Sequence, residues 1–176
     1  IRDELERFVN LYKKTLDTAP KGFRAPSHII DNAAIRTVID AGFCYDSSIV
    51  SHYPPLKKYR GYLGGAPKIP YYPNETACRR AGDMIILELP VVGQLFGLPL
   101  AGAWIRGLPH LMYQLLFALH KPQYVSFSFH SWDMFHGGRF TEKLSQVLGL
   151  LKKHGYQFKR GDEIFNEYIS KNRRFT

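Results

Sequence analysis

Residues 22–48 read GFRAPSHIIDNAAIRTVIDAGFCYDSS, and this stretch resolves into strand, helix and strand. Pro26 pushes Ala25 into an extended conformation, so Gly22-Phe23-Arg24 is expected as a short strand. Asp31 is a good helix N-cap, Ala34, Ile35, Val38 and Ile39 recur on one helical face, and Gly42 supplies the stop. Phe43-Cys44-Tyr45 follows as a second short strand. Two strands joined through a helix form the crossover that parallel neighbours require, which sets the fold class as α/β.

The same alternation continues outward. Before it, Leu5, Phe8, Val9, Tyr12 and Leu16 recur at helical spacing over Asp3 to Leu16. After it, Asp46 to Asp83 holds Pro54, Pro55, Pro67, Pro70 and Pro73 with Gly61, Gly64 and Gly65, a density that forbids long regular elements. Met84 to Leu89 is expected as a buried strand followed by core loop. Leu108 to Leu119 is expected as a helix with Pro109 in its first turn and Leu108, Leu111, Met112, Leu115, Leu116 and Leu119 as its apolar face. Tyr124 to Phe129 alternates, with Val125, Phe127 and Phe129 on one face, and delivers His130 at its carboxyl end. Leu144, Val147, Leu148 and Leu151 then mark a helix closed by Gly155, Tyr156-Gln157-Phe158 a last short strand, and Asp162 the start of a final helix. Parallel α/β folds gather their sites at the carboxyl ends of strands. Arg24, Asp46 and His130 occupy those positions.

Composition narrows the function classes. The 176 residues are 45% apolar and 22% charged, the balance of a folded domain rather than a disordered or fibrous one. The net charge of +9 is dispersed. Lys57-Lys58-Tyr59-Arg60 and Lys171-Asn172-Arg173-Arg174 are too short for a basic arm and no nucleic-acid motif accompanies them, so no nucleic-acid partner is expected. Cys44 and Cys78 lack metal or redox spacing and read as buried thiols. Met84 to Ile105 is the one membrane-like run, but Glu88, Pro90, Gln94 and Pro99 interrupt it, and no transmembrane segment is expected. No nucleophile elbow, P-loop or dinucleotide glycine motif is present. His130, Asp133 and His136 are spaced three apart, with His28, His52 and His110 elsewhere, but the spacing fits no zinc motif.

Several of these stretches, taken in order, resemble the polysaccharide deacetylase family, the NodB-homology carbohydrate esterases. They are Gly22-Phe23-Arg24-Ala25-Pro26-Ser27, Ala41-Gly42-Phe43-Cys44-Tyr45-Asp46-Ser47-Ser48-Ile49, Glu88-Leu89-Pro90, Gly102-Ala103-Trp104-Ile105-Arg106-Gly107-Leu108-Pro109 and His130-Ser131-Trp132-Asp133. The resemblance covers Gly22 to Asp133 and is nearest to the deacetylases associated with exopolysaccharide gene clusters. It implies a partial β/α barrel lacking its first strands, with residues 1–176 as the C-terminal portion of a single domain. The implied activity is metal-assisted hydrolysis of N-acetyl groups on amino-sugar polymers; the sequence leaves the compartment open between cytoplasm and cell envelope. Arg24 would hold the catalytic aspartate of the family, since a guanidinium fork keeps a carboxylate ionised. His130 would protonate the leaving amine, a task suited to an imidazole. Pro26, Asp46, Trp132 and Asp133 would contact or wall the substrate, although Asp46 also has the option of capping a turn.

This sequence departs from the family pattern at Ile49, where a second aspartate is usual, at Ser131 and Asp133, where proline and glutamate are usual, and at Ala103 in place of a glycine. Nothing before Gly22 matches the family's Thr-Phe-Asp strand end or its His-x-x-x-His pair. The divalent metal is therefore expected on a longer protein, with no ligand on this chain, and the chain's opening at Ile1 fits that expectation. Two further readings follow from the same residues: a hydrolase of a small amide or cyclic ureide on this fold, and a non-catalytic glycan-binding module.

Overall fold

The computed structural model describes residues 1–52, 65–92, 100–136 and 138–171, without the side chain of His136. About half of the described residues are helical, with a few short parallel strands, so the fold is mixed α/β. The described residues divide into two compact units: 1–51, 65–90 and 159–171 form the first, and 52, 91–92, 100–136 and 138–158 the second.

In the first unit, α1 (Arg2–Leu16) carries Asp3 and Glu4 in its first turn and Lys13 and Lys14 in its last, which matches the helix dipole. Only Leu5 and Val9 of its expected stripe are buried, while Phe8 and Leu16 lie exposed. The strand, helix and strand of residues 22–48 are present as β1 (Gly22–Phe23), α2 (Asn32–Asp40) and β2 (Tyr45–Asp46). Asp31 caps α2 by accepting from the Ala34 amide at 2.8 Å, and Gly42 turns the chain at φ 87°, a conformation that glycine adopts without a Cβ penalty. The second strand forms slightly later than the apolar run suggests, because it pairs in register with Gly22–Phe23 on one side and with β3 (Leu87–Glu88) on the other. The sheet order is β1-β2-β3, all parallel.

Residues 65–83 hold no helix and touch the sheet through an isolated antiparallel bridge from Tyr71 to Glu88. The part of the Pro/Gly excursion at 53–64 falls outside the described residues. The core of this unit gathers Ile35, Val38, Phe43, Ile49, Tyr71, Cys78, Met84 and Ile86 against Leu5 and Val9. Cys78 is a buried free thiol and Cys44 a half-buried one. The closing helix α6 (Gly161–Lys171) has Asp162 and Glu163 in its first turn.

In the second unit, β4 (Leu100–Ala101) pairs in parallel with β5 (Phe127–Ser128). The expected core loop after residue 99 is instead β4 followed directly by α3 (Gly102–Gly107). Two glycines hide a helix whose side chains Ile105 and Arg106 both find partners. Next comes α4 (His110–Leu119), with Pro109 at its N-cap. The helix is where the leucine spacing placed it, but its buried face differs. Tyr113, Leu116 and Phe117 face the core and Leu111, Leu115 and Leu119 are exposed, because the two rings offer more apolar area to the cluster around Phe140 and Val147 than the leucine stripe does. The helix α5 (Gly138–Lys153) buries Phe140, Leu144, Val147 and Leu151, and Gly155 ends it at φ 84°.

Tyr156-Gln157-Phe158 does not form the expected strand. Tyr156 instead packs its ring on Phe117 and donates its hydroxyl to the Pro122 carbonyl at 2.6 Å, while Phe158 is exposed. The described strands form two separate sheets and do not close a barrel. Among the described residues no helix is long and apolar enough to cross a membrane.

Candidate functional site

At the carboxyl end of the first unit's sheet, β1, β2 and β3 place Phe23, Asp46 and Glu88 side by side in register. Two serines that follow β2 tie the strand ends together. Ser47 Oγ accepts from Arg24 at 2.6 Å and donates to the Leu89 carbonyl at 2.7 Å, while Arg24 Nε donates to the Ser47 carbonyl. Ser48 Oγ accepts from the Ala25 amide and donates to Asp46 Oδ1 at 2.6 Å. Glu88 Oε1 accepts from the Ile49 amide at 2.9 Å.

This leaves Asp46 Oδ2 and Glu88 Oε2, both buried, with no other donor. The two residues are register partners on neighbouring strands, so their buried carboxyl groups lie in one low-dielectric environment. Burial raises both groups above the ordinary carboxyl range, Glu88 well above it. The neighbouring Asp46 charge lifts Glu88 further, whereas the adjacent Glu88 carboxyl and donation from Ser48 oppose the rise at Asp46. Of the two, Glu88 is the one whose neutral form the surroundings favour more strongly. The segment that follows Arg24 is a 3-10 turn, Pro26–His28, with Pro26 exposed at its start. Ser27 and His28 stand in the left-handed region at φ 54° and 58°, conformations that cost non-glycine residues energy.

The second unit builds its cluster at the carboxyl ends of β4 and β5. Residues Ser131–His136 form a 3-10 turn just beyond β5. The Asp133 amide donates to the His130 carbonyl at 3.0 Å, and the His130 amide donates to Asp133 Oδ2 at 2.9 Å, so the turn is closed reciprocally in the manner of a capping box. Asp133 Oδ1 receives Arg106 at 2.5 Å from the last turn of α3. One helical turn earlier stands Gly102, where any Cβ would fall inside the Asp133 carboxylate. Asp133 is 2% exposed, yet the residues that it braces face solvent: His130 is exposed and Trp132 is 56% exposed. Their rings stack at 3.9 Å between centroids and 13° between planes.

The sequence-based site residues thus divide between the units, Arg24, Pro26 and Asp46 in the first and His130, Trp132 and Asp133 in the second. Arg24 grips Ser47, Asp46 is fully buried against Ser48 and Glu88, and Asp133 orients His130 through its backbone amide rather than its ring. Sequence reasoning did not assign roles to Glu88, Gly102 and Arg106, although all three lie inside the stretches that carried the family resemblance. Among the described residues no group of three or more His, Cys, Asp or Glu side chains is placed to hold a metal ion. No protein-family model and no curated protein sequence matches the chain.

Proposed function

We propose that the chain is part of a polysaccharide deacetylase-like hydrolase, on a partial β/α barrel of the NodB-homology type, that removes N-acetyl groups from an amino-sugar polymer. The observation that carries this reading is the exposed His130 ring stacked on exposed Trp132, with its backbone held by buried Asp133, itself paired with Arg106, at the ends of parallel strands. An exposed indole offers a flat apolar face to the C–H side of a pyranose ring. A histidine fixed beside that face is positioned to donate a proton to the amine nitrogen as the C–N bond of the amide breaks. Asp133 and Arg106 act as positioning residues, because they hold the turn that carries both rings. In the first unit, Arg24 and Asp46 set the ends of β1 and β2 and so the course of the Pro26 turn.

In the family resembled, a divalent metal activates the water and polarises the acetyl carbonyl. The described residues do not present a ligand set for it, so no ligand is assigned to this chain and no step above passes through the metal.

The test is acetate release from chitotetraose by the full protein with zinc supplied. His130→Ala is expected to lower kcat by about 100-fold or more, the range of general acid catalysis, with the fold unchanged. Trp132→Ala should raise KM with a smaller effect on kcat. Wild-type acetate release from neither chitotetraose nor other acetylated oligosaccharides would remove the deacetylase reading. The exposed Trp132 face also suits a glycan-binding module without catalysis, and that reading stands if chitotetraose binds in a Trp132-dependent way while no acetate is released.

A further inference from the structure

Beside the His130 cluster, α3 and α5 enclose an open cavity of about 380 Å³ lined by Ala103, Arg106, Gly107, Arg139, Phe140 and Lys143. The volume lies within the roughly 300–1,000 Å³ of small-molecule sites and is far more than a lone oxyanion fills. Three of the six lining residues are cationic and none is acidic. Arg106 is the one with a carboxylate partner, Asp133. Lys143 donates to the carbonyls of Arg106 and Leu108, at 2.7 and 3.3 Å, which fixes its ammonium at the end of α3 without neutralising it. Arg139 is exposed and makes no ion pair among the described residues.

The remaining surface is apolar and small. Phe140 is buried beneath it, and a Cβ added at Gly107 would meet nothing within 4 Å. The cavity therefore combines excess positive charge, a guanidinium fork suited to a carboxylate, and small uncharged lining residues, Ala103 and Gly107, that leave room for a ring. Through Arg106 it adjoins the turn that carries His130 and Trp132.

We propose that this cavity binds an acidic sugar residue, a uronate-type carboxylate seated on Arg139 and Lys143, next to the residue held at His130 and Trp132. The inference rests on the saccharide reading of that site and narrows its substrate class to acidic amino-sugar polymers.

Calorimetric titration of the full protein at low ionic strength tests it with three probes. These are a tetrasaccharide alternating glucuronate with N-acetylglucosamine, neutral chitotetraose, and inorganic phosphate. The acidic tetrasaccharide is expected to bind about 10-fold or more tightly than chitotetraose, with an advantage that shrinks as salt screens the exposed charges. Arg139→Glu should abolish the advantage and leave chitotetraose binding unchanged. Lys143→Met should reduce it, and the exposed position of Arg139 keeps the first variant informative if the second disturbs α3. Equal affinity for the two oligosaccharides, no binding of the acidic one, or an advantage that survives Arg139→Glu would overturn the proposal. So would phosphate binding as tight as that of the acidic tetrasaccharide, which would mark a plain oxyanion pocket. Acetate release from chitotetraose with no acidic preference would sink this inference alone. An Arg139-dependent acidic preference without acetate release would sink the deacetylase reading and keep a binding site.

Discussion

Each unit buries acidic side chains at the carboxyl ends of parallel strands, and each meets the cost of doing so differently. In the first, burial raises the pKa values of Asp46 and Glu88 and so favours their neutral forms, while the Ser48 hydroxyl and the Ile49 amide each donate to one of their oxygens. In the second, Asp133 stays beside a guanidinium, and its other oxygen holds the backbone of a turn. A buried carboxyl whose neutral form is favoured needs no charged partner and disappears into the sheet end. An ion-paired carboxylate needs a cation that reaches it from the surface, so it naturally sits under an exposed turn. That difference explains why the first cluster fixes strand ends while the second presents His130 and Trp132 to solvent.

Removing the second cluster's anchor should produce the largest effect. Asp133→Ala leaves Arg106 without its partner and the His130 amide without its acceptor. Breaking a buried ion pair costs about 3–5 kcal/mol, and because Arg106 is partly exposed, the lower end, about 3 kcal/mol, is expected. Urea unfolding would measure it. A loss below about 1 kcal/mol would show that Asp133 is not the brace of this turn. Gly102→Ala should cost somewhat less, about 2 kcal/mol, because the added methyl overlaps the Asp133 carboxylate and must displace it or α3. The two effects should be strongly non-additive: with Asp133 already alanine, the three atoms nearest to the methyl at position 102 are gone. Simple additivity in the double variant would contradict the close approach of the two residues.

These anchors also show how legible the molecule was in its sequence. Elements governed by neighbours in the chain were readable: the Asp31 cap, the Gly42 and Gly155 stops, and the helix that begins near Asp162. Elements governed by distant partners were not. The α3 helix is short and bounded by glycines, so no periodicity announces it, and the chain after Gly155 has strand-like residues but no strand to pair with. On α4 the leucine spacing is sound, yet the choice between the leucine face and the Tyr113–Phe117 face belongs to the packing. The candidate site follows the same division. His130 and Asp46 were visible as residues closing apolar runs. The partners that define their surroundings, Arg106 for Asp133 and Glu88 for Asp46, stand 27 and 42 positions away in the chain, and sheet register alone brings strand-end residues that far apart together.

The raised carboxyl pKa values in the first unit make a distinct prediction about pH. A carboxyl whose folded pKa is raised is protonated more often in the folded state than in the unfolded one, so stability falls with rising pH. The contribution is fully present below the unfolded values, near pH 4, and is lost as pH rises toward the raised folded value of the pair. Glu88→Gln keeps a hydrogen-bond donor facing Asp46 but cannot ionise. Across pH 4 to 8 the wild type should lose stability, by about 1.4 kcal/mol for each unit of displacement traversed, and Glu88→Gln should lose clearly less. Parallel stability curves for the two proteins would mean that folding does not raise the Glu88 pKa.

The smallest expected effect has the opposite sign. Tyr113 lies in the core of the second unit, and its hydroxyl is buried with no hydrogen-bond partner among the described residues; burial pushes its pKa up to about 12. The ring is held by packing against Phe117's cluster, so the hydroxyl contributes only a desolvation cost. Tyr113→Phe preserves the ring and removes that cost, and should stabilise the protein by up to about 1 kcal/mol, a shift of a few degrees in the melting temperature. The same substitution at Tyr71, whose hydroxyl donates to the Cys78 carbonyl at 2.9 Å in the first unit, should instead destabilise by about 1 kcal/mol. The opposite signs would confirm that the difference lies in whether a buried polar group has a partner, and equal signs would place the cause in the rings themselves.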